Sequence, residues 1–138
     1  MSFNKLDANL SASPQLSLDD VASAAAKGFR TIVDLRPDGE GPDQPTAATI
    51  EAAASQHGMA FVHIPVVPGQ VNDTQVAAMS RALAEQPGPV LGYCRTGTRV
   101  ATLWALAQAG EVDADTLLST ARDAGYDLEG LRPRLQSA

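Results

Sequence analysis

The chain has 138 residues, of which 44% are hydrophobic, 19% charged and 4% aromatic. This composition is typical of one folded domain over residues 1–138 and is too apolar for a disordered chain. Sixteen acidic and ten basic side chains give a net charge of −6, which argues against binding to the phosphate backbone of nucleic acids.

Targeting segments and metal motifs are also missing from the sequence pattern. Residues 1–7 contain no apolar signal segment, and no stretch approaches the roughly 18 apolar residues needed to cross a bilayer, so we expect a cytoplasmic protein. Cys94 is the single cysteine and therefore has no internal disulfide partner. With only His57 and His63 besides, no zinc-ligand spacing exists, and we predict no metal site and no cofactor.

Helices and strands are predicted to alternate along the first half of the chain. An Ala-rich helix follows the capping motif at 17–20 and ends at Gly28. The β-branched segment 30–35 predicts a strand. A second helix over about 46–57 precedes a second strand at 61–64.

The same alternation continues in the second half. A third helix begins at a cap formed by Asn72 or Asp73, and a strand at 90–93 follows it. Residues 100–107 place apolar side chains on one helical face, and a last helix covers about 113–124. Strands separated by such helices favour an α/β fold, with a central, mostly parallel sheet and helices on both faces.

Cys94 lies where a predicted strand meets a predicted helix. In α/β sheets, the backbone N–H groups of the following helix point outward at such junctions. The helix N-terminus and the guanidinium groups of Arg95 and Arg99 both favour a thiolate over a thiol. Most lone cysteines are small buried hydrophobes, but this polar neighbourhood predicts a nucleophile.

The residues that follow Cys94 form a candidate anion-binding loop. Gly97 lets the loop curl with positive φ, so that successive backbone N–H groups converge on an anion. Arg99 supplies a planar fork for two oxygens, and we expect either Arg95 or Arg99 to point to solvent. Thr96 and Thr98 complete the predicted substrate-binding loop.

Several segments resemble the beta-lactamase hydrolase-like protein, phosphatase-like domain family. They are Leu-Ser-Ala-Ser-Pro-Gln at 10–15, Arg-Pro-Asp-Gly-Glu at 36–40, Gln-Pro at 44–45, His-Ile-Pro-Val at 63–66 and Tyr-Cys-Arg-Thr-Gly-Thr-Arg at 93–99. The resemblance covers about residues 3–110. It implies a fold similar to dual-specificity phosphatases, Cys94 as nucleophile, and a link to sulfur metabolism with a persulfide dioxygenase-like protein as partner.

The length of the loop distinguishes two reactions that the resemblance implies, phosphoester hydrolysis and sulfur transfer. Four residues lie between Cys94 and Arg99. Cysteine phosphatases carry five, whereas rhodanese sulfurtransferases have a loop similar in length to this one. The leading hypothesis is therefore a sulfurtransferase that holds sulfane sulfur as a persulfide on Cys94. It would take the sulfur from a small anionic donor and pass it to a thiol acceptor.

Two alternatives remain open. The first is a phosphatase that hydrolyses a phosphoester through a phosphocysteine on Cys94, with Arg99 clamping the phosphoryl oxygens. The second is a non-catalytic module that binds an anion or a partner protein through the same loop.

A phosphatase also needs a general acid, for which Asp73 is the best-placed residue. A helix cap at Asn72 or Asp73 is nevertheless the favoured interpretation. The loop at 36–45 is either one wall of the pocket or a plain connecting turn.

Overall fold

A five-stranded sheet forms the centre of the computed structural model, which describes residues 3–136. The strands lie in the order β1-β2-β5-β3-β4. β1 runs antiparallel to β2, and every other neighbouring pair is parallel. The strands are β1 (Asn4–Lys5), β2 (Leu10–Ser13), β3 (Thr31–Asp34), β4 (Ala60–His63) and β5 (Val90–Tyr93).

Helices cover both faces of this sheet. They are α1 (Leu18–Ala26), α2 (Ala47–Gln56), α3 (Asp73–Glu85), α4 (Thr98–Ala107), α5 (Ala114–Asp123) and α6 (Arg132–Gln136), with a 3₁₀ turn at Glu129–Leu131 before α6. The sheet separates two hydrophobic clusters, and neighbouring residues of β3 belong to different ones. Ile32 lies in the cluster with residues of α1 and α2, whereas Val33 lies in the cluster with residues of α3, α4 and α5. The predicted α/β architecture is confirmed.

Side-chain caps fix the starts of the helices where the sequence places them. Ser17 and Asp20 form a capping box at α1, and the Thr46 side chain accepts a hydrogen bond at the start of α2. At α3 the cap is Asn72, whose side chain accepts the backbone N–H of Gln75. The sequence left Asn72 and Asp73 as alternatives, and the structure assigns the cap to Asn72.

Two parts of the fold were not predicted, the β1–β2 hairpin and the C-terminal helix α6. β2 has the sequence Leu-Ser-Ala-Ser, which lacks the β-branched residues that indicate a strand. It is nevertheless completely buried, because it pairs with the central strand β5 over its whole length. None of the helices within residues 3–136 is long and apolar enough to cross a membrane.

Candidate active site

Cys94 lies directly after β5, the strand at the middle of the sheet. Its backbone N–H donates to the carbonyl oxygen of Ser13 at 3.4 Å, at the end of the neighbouring β2. On the other side of β5, the backbone N–H of Leu35 donates to the carbonyl oxygen of Tyr93 at 2.9 Å. The carboxyl ends of three parallel strands therefore meet around Cys94, as the Cys94 position in the sequence predicted.

The loop after Cys94 curls back over the sulfur atom. Gly97 has φ 96°, which side-chain-bearing residues rarely adopt, and it forms the N-cap of α4. Its backbone N–H donates to Cys94 Sγ at 3.0 Å, so the N-terminus of α4 points at the sulfur. Cys94 is fully buried with 0% exposure and belongs to the larger core cluster.

Tyr126, in the C-terminal region, packs against Gly97. The Tyr126 hydroxyl lies so close to Gly97 that any Cβ there would collide with it. Asn4 Nδ2 donates to the same hydroxyl at 2.9 Å. Burial raises the pKa of Tyr126, the hydrogen bond with Asn4 opposes this increase, and the electrostatic interaction with Cys94 adds to it. Tyr126 therefore packs against the loop within electrostatic reach of Cys94.

Arg99 is held in place by a bidentate ion pair. Its Nη1 and Nη2 atoms each donate to one carboxylate oxygen of Glu40 at 2.7 Å, and Nη1 also donates to the carbonyl oxygen of Val66 at 2.8 Å. The hydrogen bonds to Glu40 raise the pKa of Arg99 above its ordinary value against the opposing effect of burial, and interactions with Cys94 also contribute. The guanidinium is thus fixed beside the sulfur.

The ion pair leaves part of the Arg99 fork for other partners. A guanidinium has five N–H donors, and the contacts with Glu40 and Val66 occupy three of them. The remaining donors are Nε–H and one Nη2–H, which project in parallel from one side of the group. Such a side fork can bind two oxygens of an anion. Arg99 can therefore hold Glu40 and an oxyanion at the same time.

Glu40 is shared between two arginines. Arg36 Nε donates to Glu40 Oε1 at 3.0 Å, and Arg36 Nη1 donates to Gln15 Oε1 at 3.0 Å. Hydrogen bonds from Arg99, with a smaller contribution from Arg36, lower the pKa of Glu40 from 4.5 to about 2 against the opposing effect of burial. One carboxylate with two guanidinium groups leaves this cluster with a net positive charge.

A cavity of about 500 Å³ opens next to the loop. Its walls come from the loop after Cys94, the segment before α3, helix α4 and the C-terminal helix. The lining residues are Pro68, Gly69, Val71, Arg95, Thr96, Thr98, Arg99, Thr102, Leu131 and Arg134. The structure thus brings four of the predicted loop residues, Arg95, Thr96, Thr98 and Arg99, to one concave surface. Arg95 is exposed, whereas Arg99 is only 8% exposed.

No carboxylate is found among the described residues that line this cavity. Asp73 is the first residue of α3 and does not reach the lining, and Glu40 is engaged by Arg99 and Arg36. The structure does not place the predicted general-acid candidate next to the loop. Within residues 3–136, no group of His, Cys, Asp or Glu side chains could hold a metal ion either.

The sequence pattern did not reveal the residues that support the loop. The segment at 36–45 supplies Glu40 and Arg36 behind Arg99, so it serves as a support and not as a wall of the cavity. Arg36 and Glu40 are four positions apart, a spacing that predicts side-chain contact in a helix. They lie in a Pro/Gly-rich loop, however, so the spacing did not predict their contact. Tyr126 and Arg134 lie far along the chain, and nothing local indicates their positions.

Comparisons with known proteins agree with this architecture. The family model of the beta-lactamase hydrolase-like protein, phosphatase-like domain, matches residues 2–111. A beta-lactamase hydrolase-like protein of Xylella fastidiosa (strain Temecula1 / ATCC 700964) is 34% identical over 130 residues, which are 93% of this chain. The chain spans only 30% of the length of that relative.

Solved structures show the same fold. A candidate phosphatase from Neisseria meningitidis Z2491 has a TM-score of 0.91 and 37% identity, covering 99% of this chain and 98% of its own. Tk-PTP in its active form has a TM-score of 0.77 at 17% identity, covering 99% of this chain and 94% of its own, which is a likeness of fold alone. The fold is that of dual-specificity and protein-tyrosine phosphatases. The chain belongs to the beta-lactamase hydrolase-like protein, phosphatase-like domain family.

Proposed function

We propose that this chain is a cysteine-dependent phosphatase that hydrolyses phosphate monoesters, with Cys94 as its nucleophile. The observation that carries the proposal is the Arg99 guanidinium, which Glu40 holds through a bidentate ion pair and which also interacts with Cys94. A phosphoryl group presents several oxygens to such a fork. Membership of a phosphatase-like family supports the same chemistry.

In the first step, the Cys94 thiolate attacks phosphorus, an S–P bond forms, and the P–O bond to the leaving group breaks. The Arg99 fork and the backbone N–H groups of the loop stabilise the charge on the transferred oxygens. In the second step, water attacks the phosphocysteine, a new P–O bond forms and the S–P bond breaks. Inorganic phosphate leaves, and the thiolate is restored.

The lining of the cavity limits the leaving group. Because no carboxylate lines the described part of the cavity, the departing oxygen takes its proton from water and not from a positioned acid. Leaving groups that are stable as anions are therefore favoured, and aryl phosphates are better substrates than alkyl phosphates. The surroundings of Cys94 must also open for a substrate to reach the sulfur, because Cys94 is completely buried.

The test is phosphate release from phenyl phosphates by the wild type, Cys94→Ser and Arg99→Lys. We expect Cys94→Ser to abolish release, and vanadate to compete with substrate in the wild type. Arg99→Lys keeps the charge but loses the planar fork, so it should reduce kcat/KM by about a hundredfold. Release that survives in Cys94→Ser would refute the mechanism.

Sulfur transfer is the second candidate, and one observation favours it. Only four residues separate Cys94 from Arg99, which makes a smaller loop than the five-residue spacing of cysteine phosphatases. Sulfur transfer also needs no general acid, since thiolate sulfur is both nucleophile and leaving group. In this mechanism, Cys94 attacks the sulfane sulfur of thiosulfate, the S–S bond breaks, sulfite leaves and a cysteine persulfide remains.

The two candidates differ in what Cys94 carries. Intact mass after brief exposure to thiosulfate should show no added sulfur on the wild type if the chain is a phosphatase. Gain of one sulfur atom on the wild type, absent from Cys94→Ser and discharged by glutathione, would establish the sulfurtransferase. If neither phosphate release nor sulfur uptake occurs, the loop is an anion-binding site without catalysis.

A further inference from the structure

Gly97 is in contact with both the sulfur of Cys94 and the hydroxyl of Tyr126. Its backbone N–H donates to Cys94 Sγ at 3.0 Å. The Tyr126 hydroxyl occupies the position where a side chain of residue 97 would begin. The φ of 96° at Gly97 is also one that a residue with a side chain rarely adopts. The backbone conformation that directs this N–H to the sulfur therefore coincides with the close approach of Tyr126.

The end of α5 fixes the backbone of Tyr126. The N–H of Gly125 donates to the carbonyl oxygen of Arg122, and the N–H of Tyr126 donates to that of Ala121, both at 2.9 Å. With Gly125 at φ 104°, this is the Schellman arrangement that ends many helices. Tyr126 is 6% exposed and belongs to the larger core cluster, so its ring is packed on most sides.

The N-terminal hairpin supports the hydroxyl of the same tyrosine. Asn4 Nδ2 donates to Tyr126 Oη at 2.9 Å. Asn4 pairs with Ala12 of β2, and β2 ends at Ser13, whose carbonyl oxygen accepts the N–H of Cys94. The hairpin thus contacts Cys94 through one strand and Tyr126 through the other. Two segments far apart in the sequence thereby meet at the loop.

We propose that Asn4 and Tyr126 are positioning residues, which hold Gly97 so that its N–H donates to the Cys94 thiolate. Neither residue lines the cavity, so they act through the loop and not on the substrate. A thiolate accepts a stronger hydrogen bond than a thiol, because the bond is charge-assisted. A firmly placed donor therefore favours the nucleophilic form of Cys94. The nucleophilic role of Cys94 rests on the proposed function, whereas the placement of the N–H does not.

Other interactions at Cys94 have to be separated from this one. Arg99 interacts with Cys94, and Tyr126 has an electrostatic interaction of its own with the cysteine. Tyr126→Phe removes both the contact with Gly97 and that direct interaction. Asn4→Ala keeps the hydroxyl and Arg99 and removes only the hydrogen bond that supports the hydroxyl. The two variants together therefore distinguish positioning from a direct effect of the hydroxyl.

The test is a titration of Cys94 by the ultraviolet absorbance of its thiolate. Cys94 is the single cysteine, so each variant with Cys94→Ser added supplies its own baseline. No reagent has to reach the sulfur, so its burial does not interfere. We expect Tyr126→Phe and Asn4→Ala each to move the midpoint of thiolate formation to a pH about 0.5–1 higher than in the wild type.

The matched control is Asn9→Ala, in the same hairpin. The Asn9 side chain donates to the carbonyl oxygen of Leu83 at 3.4 Å, so its removal should leave the midpoint unchanged. Circular dichroism checks that each variant is folded, and Asn4→Ala alone decides if Tyr126→Phe does not fold. A shift in only one of two folded variants, a shift in neither, an equal shift in Asn9→Ala, or no thiolate in the folded wild type would overturn the proposal.

Phosphate release by the wild type separates this proposal from the proposed function. If the midpoints shift as expected but the wild type releases no phosphate from phenyl phosphate, the positioning role stands and the phosphatase proposal is wrong. If the wild type releases phosphate but neither variant shifts the midpoint, the phosphatase proposal stands and the positioning role is refuted.

Discussion

Gly97 carries two separate constraints at the scale of a single residue. Its φ of 96° disfavours any side chain, and the Tyr126 hydroxyl fills the space where a Cβ would lie. Gly28 has a similar φ of 94° but no heavy atom within 4 Å of a Cβ. Comparing alanine variants at Gly28 and Gly97 therefore separates two effects. One is the backbone strain of an alanine at positive φ, and the other is the collision of its Cβ with Tyr126.

We expect Gly28→Ala to lower the free energy of unfolding by about 1 kcal/mol and to leave phosphate release unchanged. Gly97→Ala should cost more stability, because Tyr126 must move away from the loop. It should also reduce kcat/KM by at least about tenfold, since the N–H that donates to Cys94 Sγ is displaced. Denaturant unfolding and phosphate release measure both effects. Equal results for the two variants would contradict the role of Tyr126.

Glu40 is a positioning residue, because it touches Arg99 and not the expected substrate. In Glu40→Gln the Arg99 guanidinium loses its bidentate partner, so we expect kcat to fall about tenfold with a smaller change in KM. Glu51→Gln, on an exposed position of α2, is the control and should have no effect. A loss that appears in KM alone would indicate that Glu40 affects binding and not orientation.

The pH dependence of stability tests the same ion pair. The pKa of Glu40 is lowered from 4.5 to about 2 in the folded protein, mainly by hydrogen bonds from Arg99. Its stabilising contribution is therefore complete above about pH 4.5 and is lost as the pH falls through about 2. Wild type should exceed Glu40→Gln in unfolding free energy at pH 7, and the difference should shrink between pH 4.5 and 2. A difference that is constant over this range would contradict the pairing.

At the scale of elements, α6 completes the cavity although it lies beyond the segment that matches the family model. Leu135 anchors it, with 3% exposure in the larger core cluster. Arg134 precedes Leu135 and lines the cavity, as does Leu131 at the end of the 3₁₀ turn. The position of this wall therefore depends on how firmly Leu135 is packed.

Leu135→Ala should lower the free energy of unfolding by about 2–3 kcal/mol, because a buried leucine leaves a cavity when it is truncated. Leu18→Ala is the control, since Leu18 is 55% exposed and should cost little. Denaturant unfolding of both variants gives the comparison. A change below about 0.5 kcal/mol for Leu135→Ala would mean that α6 is not firmly packed against the core.

At the scale of the whole molecule, local patterns predicted most of the framework. Caps such as Ser17 and β-branched runs such as 31–34 act within a few residues, and they located α1 to α5 and three of the strands. β2 was missed because its small residues become a strand only through pairing with β5. Its burial depends on pairing with a segment that is distant in the sequence, so the residues of β2 alone could not predict it.

The candidate site divides in the same way. The loop from Cys94 to Arg99 is contiguous, so its position between β5 and α4 could be predicted from residue types and spacing. Glu40 and Tyr126 reach it from distant segments, and their roles depend on how loops fold back onto the sheet. Sequence reasoning favoured sulfur transfer mainly because of the loop length, whereas family membership and the position of Arg99 support the phosphatase alternative.

The most direct test of the account is the mass of the protein during turnover. Wild type and Cys94→Ser are mixed with phenyl phosphate, quenched rapidly, and examined by intact-mass and peptide mass spectrometry. The account predicts one added phosphoryl group on Cys94 in the wild type and none in Cys94→Ser. Phosphate release without any adduct, or an adduct on another residue, would contradict Cys94 as the nucleophile of a phosphatase.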